Sequence, residues 1–524
     1  MPEIPTEAPG SGGAAAQLEG GAYEIIRARL NAQGDELRSR LGKLNAERQA
    51  VFGAVVPELL ATERVSTAHA CVPRDMIAIG GNRFLFGYNV HFGLKSTTEP
   101  ADVFAGYQYD PETHTFTEIG LDLLNSGSFA DDFAYLYKYY RGTTFVKFRR
   151  IGPHLFMAFR VGKAVEDVKC FKWRMADGVL EYLGNRFDHE YGFPPQQEFD
   201  WVRVNRSMYR EGLHPHISIE DRVFVETVGG DLTIKVEDNT AIGEGIYAEP
   251  VEHRDQTLDD ASIHYAIVGN LILLKILPYQ EKEHRYLVFN EKVRSVTRID
   301  SIAASCVLLP EDHGIIFADG YHLQTGETKR FDSGLKNMVF DRRIASPNGE
   351  DYLYVFYNRL SGVYVLMSYN LIGQSVDTPI VCHGYSVFQS GQLIYFRADD
   401  EPAKHHALQV WRTPFMEGEF HSPGQPDNHL SKIGNAEIVR CMAECHEVLN
   451  LLGKEDTYAD LYIDLAKRTG DIADAYFWVG HPSAFDLKSV LLELRGAAQS
   501  AIAEFDKVRR LRQSTAAETR RVSE

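Results

Sequence analysis

Seven short strand–turn–strand units constrain the fold of this chain more than any other feature of its 524 residues. In each unit, as in MIAIGGNRFLFGYN and HYAIVGNLILLKIL, apolar residues of strand-forming type flank a turn that contains Gly. The units begin at Met76, Phe148, Arg222, His264, Cys306, Tyr352 and Tyr385, with spacings of 72, 74, 42, 42, 46 and 33 residues. The later spacings approach the period of about 40–45 residues that is typical of a four-stranded propeller blade.

This repetition predicts a mainly β fold with a β-propeller of about seven blades over residues 66–418. A propeller leaves few sheet edges exposed, because its sheets are arranged radially. A pair of β-sandwich domains is the main alternative, since both architectures consist of short alternating strands and only the spacing favours the propeller.

The N-terminal part of the chain has a different pattern. Residues 1–20 are rich in Pro, Gly and Ala, which predicts a disordered tail. Residues 21–65 predict a helical segment, because apolar residues recur there every seven positions, at Leu30, Leu37, Leu44 and Val51. Gly34 and Arg48 interrupt this seam, so a short helical hairpin or a partner-binding helix is expected rather than a long coiled coil.

The C-terminal part returns to a helical pattern after a break. The string EFHSPGQPDNH contains Pro, Gly and Asn where a helix or strand would fail, which predicts a linker over residues 419–430. Residues 431–524 place apolar side chains at steps of three and four, which predicts a helical or coiled-coil segment that ends in a polar helical tail.

Charge and cysteine content narrow the classes of function. A net charge of -18 and a pI near 5.5 oppose the wrapping of DNA or RNA, although a local basic patch is compatible with them. Six scattered cysteines indicate a reducing cytoplasm rather than a disulfide framework. The sequence has neither the pattern of a signal peptide nor an uninterrupted apolar stretch that would span a membrane.

The chain carries no recognisable catalytic or nucleotide-binding motif, so no catalytic residue is predicted. The fragment GLKS from Gly93 misses the spacing of a phosphate-binding loop, and no GxSxG elbow or EF-hand loop is present. Cys441 and Cys445 lie one helical turn apart, which is more typical of buried core thiols than of metal ligands. We therefore expect neither a metal nor a cofactor in this chain.

Polar clusters in predicted loops supply the candidates for ligand or partner binding. Asp188-His189-Glu190 and His214-Pro215-His216 combine imidazoles with carboxylates, and Glu237-Asp238-Asn239-Thr240 follows a predicted hairpin. The candidate residues are His189, His214, His216, Asp238 and Asn239. Solvated loops and an ordinary exposed turn are the alternative interpretation of the same residues.

Four long strings carry a resemblance to a known family: HPHISIEDRVFVETVGGDLTIKVEDNTAIGEGIYAEPV, IVGNLILLKILPYQEKEHRYLVFNEKV, RIASPNGEDYLYVFYNR and FRADDEPAKHHALQVWRTPF. They resemble the N-terminal region, of unknown function, of very large bacterial proteins known as DNA repair ATPases. In that family an AAA-type ATPase module follows this region. The resemblance implies that ATP and Mg²⁺ belong to this module and that no catalytic residue carries over to the chain.

Three hypotheses of function remain. The first is a non-catalytic sensor or scaffold, in which the propeller binds a protein partner and the helices couple that event to the ATPase module. The second is an enzyme with a site at the propeller mouth, built from His189, His214, His216 and Asp238. The third is nucleic-acid binding through the basic residues Lys507, Arg509, Arg510, Arg512, Arg520 and Arg521.

Overall fold

A computed structural model describes residues 21–90, 97–416, 427–454, 458 and 460–523 of the chain. The predicted tail, residues 1–20, and most of the predicted linker, residues 419–426, lie outside the described residues. Within these ranges the strands form successive antiparallel meanders, which we number as blades 1 to 7 in chain order.

Blades 1 and 2 are four-stranded and are connected by the helix α2 (Phe129–Tyr139). Blade 1 consists of residues 72–80 of the long strand β1 (Glu58–Gly80), with β2 (Arg83–Asn89), β3 (Phe104–Asp110) and β4 (Thr115–Ile119). Blade 2 consists of β5 (Thr144–Ile151), β6 (His154–Arg160), β7 (Val168–Ala176) and β8 (Val179–Gly184).

Blades 3, 4 and 5 follow, with one strand out of chain order. The short strand β9 (Val202–Arg203) pairs with β15 (Ser262–Val268), which belongs to blade 4. Blade 3 consists of β10 (Tyr209–Arg210), β11 (His216–Ile219), β12 (Val223–Glu226), β13 (Leu232–Lys235) and β14 (Tyr247–Glu249). Blade 4 adds β15 (Ser262–Val268), β16 (Leu271–Leu277), β17 (Arg285–Asn290) and β18 (Ser295–Arg298). Blade 5 consists of β19 (Val307–Leu308), β20 (Gly314–Phe317), β21 (Gly320–Leu323) and β22 (Thr328–Arg330).

The last two blades bring the two ends of the β region together. Blade 6 consists of β23 (Met338–Ala345), β24 (Asp351–Asn358), β25 (Tyr364–Asn370), β26 (Ser375–Val376) and β27 (Ile380–Cys382), and the last two both pair with β25. Blade 7 consists of β28 (Gly384–Val387), β29 (Gln392–Phe396) and β30 (Ala403–Arg412). Residues 58–71 of β1 pair with β30, so one continuous strand links blade 7 to blade 1.

Apolar clusters lie between neighbouring blades. Separate clusters join blades 1 and 2, 3 and 4, 4 and 5, 6 and 7, and 7 and 1. The contact between blades 4 and 5 shows how tight this packing is. Gly269, in the turn between β15 and β16, has a φ of +60°, and a Cβ atom there would lie 2.7 Å from Nε2 of Gln324 in blade 5.

Five helices from the two ends of the chain pack on blades 5 and 6. They are α1 (Gly21–Phe52), α3 (His429–Ile433), α4 (Asn435–Gly453), α5 (Leu461–Ala475) and α6 (Leu487–Ser523). A single apolar cluster contains Leu37 of α1, Val439 of α4 and Leu491 of α6 together with Ile316 and Phe340 of the two blades. The helices and the sheets therefore share one core.

The two interruptions of the α1 seam have specific roles in this core. A Cβ atom at Gly34 would lie 3.0 Å from Cδ1 of Leu452, so the glycine allows α1 and α4 to approach closely. Arg48 is 1% exposed, and its guanidinium donates to a carboxylate oxygen of Glu350 at 2.9 Å and to Oδ1 of Asn435 at 3.1 Å. The charge that weakens a coiled-coil seam thus connects α1 to blade 6.

The prediction of a mainly β, propeller-like fold with helical segments at both ends is confirmed. Each of the seven predicted units coincides with an antiparallel hairpin. None of the helices in the described part of the chain combines the length and the apolar character that crossing a membrane requires.

Two predicted boundaries need correction. The predicted helical segment 21–65 is too long, because α1 ends at Phe52 and residues 58–65 pair with β30. Gly53, with a φ of +85°, donates its N–H to the carbonyl of Gln49 and ends the helix, and Pro57 lacks the N–H that a helix would use. The predicted linker 419–430 overlaps α3, which begins at His429 because the Asn428 side chain accepts from the N–H of Leu430.

Candidate functional site

Three charged residues from distant parts of the sequence meet where blades 1, 2 and 6 face one another. Asp75, Lys147 and Asp341 lie in the first strands of these blades, β1, β5 and β23. A break in the pairing register, typical of a β-bulge, lies next to each of them. Because a bulge redirects a side chain relative to the regular alternation, these strands can turn charged groups inward. We call these three residues, with Arg149 and Tyr364, the central cluster.

The members of the central cluster hold one another through direct bonds. Asp75 accepts hydrogen bonds on Oδ2 from the N–H of Phe148 and from the hydroxyl of Tyr364, both at 2.9 Å. Lys147 Nζ lies 3.3 Å from Oδ2 of Asp341 and 4.3 Å from the ring centre of Tyr364. Arg149 forms a second ion pair with Asp341. The blades are thus joined by charge as well as by apolar packing.

Burial sets the protonation of the central cluster. Burial raises the pKa of Asp75 to about 7, although the charge of Lys147 and the hydrogen bonds oppose the rise. Burial lowers the pKa of Lys147, and the carboxylates of Asp341 and Asp75 compensate only in part. Burial also acts to raise the pKa of Asp341, but Lys147 and Arg149 outweigh it and hold that pKa below its usual value. Asp75 is therefore the carboxyl of the cluster that changes protonation near neutral pH.

A cavity of about 80 Å³ borders the central cluster, lined in part by Lys147, Arg149, Asp341 and Tyr385. This volume has room for a few water molecules but is well below the 300–1,000 Å³ of a typical ligand pocket. The cluster can therefore hold ions and a proton inside the fold, but it cannot admit a sizeable substrate. Sequence reasoning missed it, and the available signal was a charged residue inside an apolar strand, as in FVKFRRI and MVFDRRI.

A second polar site lies between blade 5 and the helices, which we call the junction. Its centre is Glu447 of α4, which is buried, accepts from Nε2 of Gln374 at 3.0 Å and forms an ion pair with Arg468 of α5. His313, which precedes β20, lies with Nε2 3.9 Å from Glu447 and with Nδ1 2.7 Å from the hydroxyl of Tyr369. The junction therefore connects the helices to blades 5 and 6 through one buried carboxylate.

Burial and backbone geometry distinguish the junction from an ordinary interface. Burial, with a smaller contribution from the charge of Arg468, lowers the pKa of His313 to about 4, so its ring is neutral at pH 7. The two residues before it, Glu311 and Asp312, have φ values of 53° and 55°, which is a strained conformation for side chains other than Gly. A cavity of about 510 Å³ opens beside them, and Arg440 and Glu444 of α4 line its other wall.

Four of the five predicted binding residues come together in blade 3. His216 lies with Nε2 2.7 Å from Oδ1 of Asp238 and with Nδ1 3.4 Å from Nζ of Lys235. The same ammonium donates to the carbonyl of Asn239 at 3.4 Å, and His214 lies 3.1 Å from Oε1 of Glu226. These side chains are largely bonded to one another, and whether they bind a ligand or partner stays a prediction.

His189, the fifth predicted residue, does not join them. It lies in the short helix Asp188–Glu190 after blade 2, is 75% exposed, and lines a different cavity, between blades 2 and 6. Cys441 and Cys445 are buried in the shared core. Among the described residues, no group of three or more His, Cys, Asp or Glu side chains is placed to hold a metal ion.

The solved structures that match the chain include a lyase and two propellers. The catalytically inactive virginiamycin B lyase from Staphylococcus aureus is 10% identical, with a TM-score of 0.23 over 67% of this chain and 99% of that one. The β-propeller domain of the trilobed protease from Pyrococcus furiosus is also 10% identical, with a TM-score of 0.19 over 69% and 98%. The Dos1 propeller is 9% identical, with a TM-score of 0.21 over 68% and 97%. At such TM-scores the fold assignment depends on the strand pairing described above.

Sequence comparison is more specific. No curated protein matches the chain at a significant level. A family described as "ATPase involved in DNA repair" matches residues 36–477, which include most of α1, all seven blades and the helices up to the end of α5. This match confirms the resemblance that the four long strings suggested. The chain therefore belongs to the family described as ATPase involved in DNA repair.

Proposed function

We propose that this chain is a non-catalytic sensor or scaffold region of a bacterial, cytoplasmic ATPase that acts in DNA repair. In this proposal the propeller-like array binds a protein partner, and the helices pass the binding event to an ATPase module. The family supplies the ATPase context. The ATP and Mg²⁺ would bind to the ATPase module, because the sequence of this chain contains no phosphate-binding loop.

The shared core of helices and blades is the observation that carries the proposal. Val439 of α4 and Leu491 of α6 belong to the same apolar cluster as Ile316 of blade 5 and Phe340 of blade 6. The ion pair Arg48–Glu350, at 2.9 Å, crosses the same boundary, and Lys292 in the β17–β18 turn of blade 4 pairs with Asp464 of α5 at 3.1 Å. Because packed interiors transmit strain, a shift of blade 5 or 6 should change the positions of the helices that share its core.

The two alternatives have weaker support. The enzyme hypothesis needs an accessible group, but both ring nitrogens of His216 are engaged by Asp238 and Lys235, and His189 lies elsewhere. The nucleic-acid hypothesis rests on six basic residues of α6, of which Arg509 pairs with Asp506 at 2.9 Å. The net charge of -18 opposes it.

Hydrolysis of Mg²⁺·ATP by the purified chain tests the non-catalytic part of the proposal. We expect the rate to equal that of buffer alone. ATPase activity that co-purifies with the chain at constant specific activity through several orthogonal steps would contradict the non-catalytic part of the proposal.

Hydrogen exchange tests the coupling part. The substitution His313→Ala removes the hydrogen bond to Tyr369 and opens the junction, so amide exchange in α4 and α5 should accelerate. The matched control is His406→Ala, which truncates a buried histidine of blade 7 that contacts Cys71 and Thr67. If the two variants, compared at equal global stability, change exchange in α4 and α5 to the same extent, the junction does not couple blades to helices.

A further inference from the structure

A cavity of about 560 Å³ between blades 2 and 6 has the size and the lining of a small-molecule site. Blade 2 contributes Val146 and Arg160, and blade 6 contributes Tyr357 and Arg359. The segment that leaves blade 2 closes the third side with Phe193 and with His189 at the mouth. Apolar and aromatic walls with a few polar groups at defined positions are typical of pockets that bind small ligands.

Of the two arginines that line this cavity, Arg359 pairs with a carboxylate of the rim and Arg160 does not. Arg160 donates from Nη2 to the carbonyl of Arg359 at 2.6 Å, but its Nε is buried without a hydrogen-bond partner, and no described carboxylate forms an ion pair with it. The acidic groups of the rim are engaged by groups other than Arg160. Asp188 accepts from Lys169 and from the N–H of Cys170, and Glu166 lies 3.7 Å from Arg359.

Arg160 lines the cavity, and its unpaired Nε–H is informative because leaving a buried donor without a partner is unfavourable. Guanidinium groups bind carboxylates and phosphates through two parallel hydrogen bonds. Val146, Val339 and Phe193 give the same cavity an apolar lining against which the body of a ligand can pack. The net charge of -18 gives no general attraction for anions, so any affinity must come from this site.

We infer that the cavity between blades 2 and 6 binds a small anionic ligand with an apolar body, and that Arg160 contacts its carboxylate or phosphate group. The predicted binding residue His189 then contributes at the mouth. This inference goes beyond the proposed sensor function and does not depend on it, because the binding is a property of this chain alone.

Titration calorimetry on the whole chain with simple probes tests the inference. Phenyl phosphate and benzoate carry the required anion on a ring, and their ratio of affinities separates a phosphate ligand from a carboxylate ligand. Benzamide and benzamidine are the neutral and cationic counterparts. We expect at least one anion to bind about tenfold or more tightly than both counterparts, with affinity that falls as salt is added. Equal affinities, or no binding by either anion, would overturn the inference.

Variants locate the binding. Arg160→Gln should weaken anion binding about tenfold or more, whereas Arg174→Gln, which removes an exposed partner of Glu181 in the same blade, should leave it unchanged. Val165→Trp, at a partly exposed turn of the cavity wall, should block binding without touching Arg160. Should Arg160→Gln fail to fold, the Trp variant decides. Undiminished binding in the Trp variant, or in folded Arg160→Gln, would refute the assignment.

Discussion

Asp75 offers the sharpest test of the electrostatics inside the propeller-like array. Its pKa is raised from 3.8 to about 7 in the folded chain, mainly by burial. Between these two values the folded state holds a proton that the unfolded state has released. The contribution of Asp75 to the free energy of unfolding should therefore fall as the pH rises across this window, by about 1.4 kcal/mol per pH unit and by ~4 kcal/mol in all.

The substitution Asp75→Asn removes this titration. Three donors point at the carboxyl, the N–H groups of Met76 and Phe148 and the hydroxyl of Tyr364. The asparagine amide must face one of them with its own N–H, so the variant should lose about 1–3 kcal/mol at every pH. That loss is constant, whereas the part of the pH dependence between pH 4 and 7 that comes from Asp75 should disappear. The difference between wild type and variant should thus shrink as the pH rises.

Urea unfolding at constant ionic strength, from pH 4 to 8, measures this difference. Asp177→Asn is the matched control, because Asp177 lies in the exposed β7–β8 turn with a φ of 50° that asparagine also tolerates. Its profile should run parallel to that of the wild type. Parallel profiles for wild type and Asp75→Asn would refute the reasoning, since they would mean that Lys147 keeps Asp75 ionised despite its burial.

Three further predictions concern the helices and the junction. Arg48→Met should destabilise the chain by about 2–4 kcal/mol in urea unfolding, because it leaves the carboxylate of Glu350 without its ion-pair partner. The control Arg38→Met removes an exposed ion pair and should change stability by less than ~0.5 kcal/mol. Gly42→Ala should stabilise the chain by ~1 kcal/mol, because alanine favours the helix and nothing lies within 4 Å of the new Cβ. Gly34→Ala should show no such gain, because its new Cβ would lie 3.0 Å from Cδ1 of Leu452. A larger gain at Gly34 than at Gly42 in thermal melts would contradict the packing of α1 on α4. His313→Gln should reduce the loss of stability on acidification from pH 6.5 to 4, because His313, with a pKa of about 4, takes up its proton more readily in the unfolded state than in the folded one. An unchanged dependence of stability on pH between 6.5 and 4 would contradict the burial of His313.

The blades and helices followed from the sequence because their signals are local. Each hairpin carries its own turn glycine and its own apolar alternation, so no knowledge of the partner blade is needed to find it. The α1 seam was equally visible, and Leu30, Leu37, Leu44 and Val51 are all buried. The error at residues 53–65 has a tertiary cause. Residues 58–65 of that stretch form a strand because β30, more than 300 residues later, supplies their pairing partner.

The partial success in blade 3 has the same origin. His214, His216, Asp238 and Asn239 lie within one meander, so neighbouring strands and turns bring them together without any long-range contact. His189 belongs to the segment that follows blade 2, and two of the residues that share its cavity, Val339 and Arg359, come from the distant blade 6. A polar motif on a loop indicates that a residue is exposed, but not which distant strand will face it.

The central cluster shows why the most buried charges were the hardest to find. Alternation assigns each strand residue to the core or to solvent, and by this rule the charges in VPRDMIAI, FVKFRRI and MVFDRRI belong on the solvent side of their strands. A register break beside Asp75, Lys147 and Asp341 removes the basis for that rule at these three positions. A bulge is defined by the pairing of two strands and not by the residues of one, so the inward turn of each charge becomes visible only when the partner strand is in place. The same break occurs in three blades that are distant in sequence, and each brings a charge that would be costly to bury alone. Asp341 finds its partners Lys147 and Arg149 in β5, and Asp75 accepts from β5 and from Tyr364 of β25, so each of these carboxylates is satisfied only when a strand of another blade is in place.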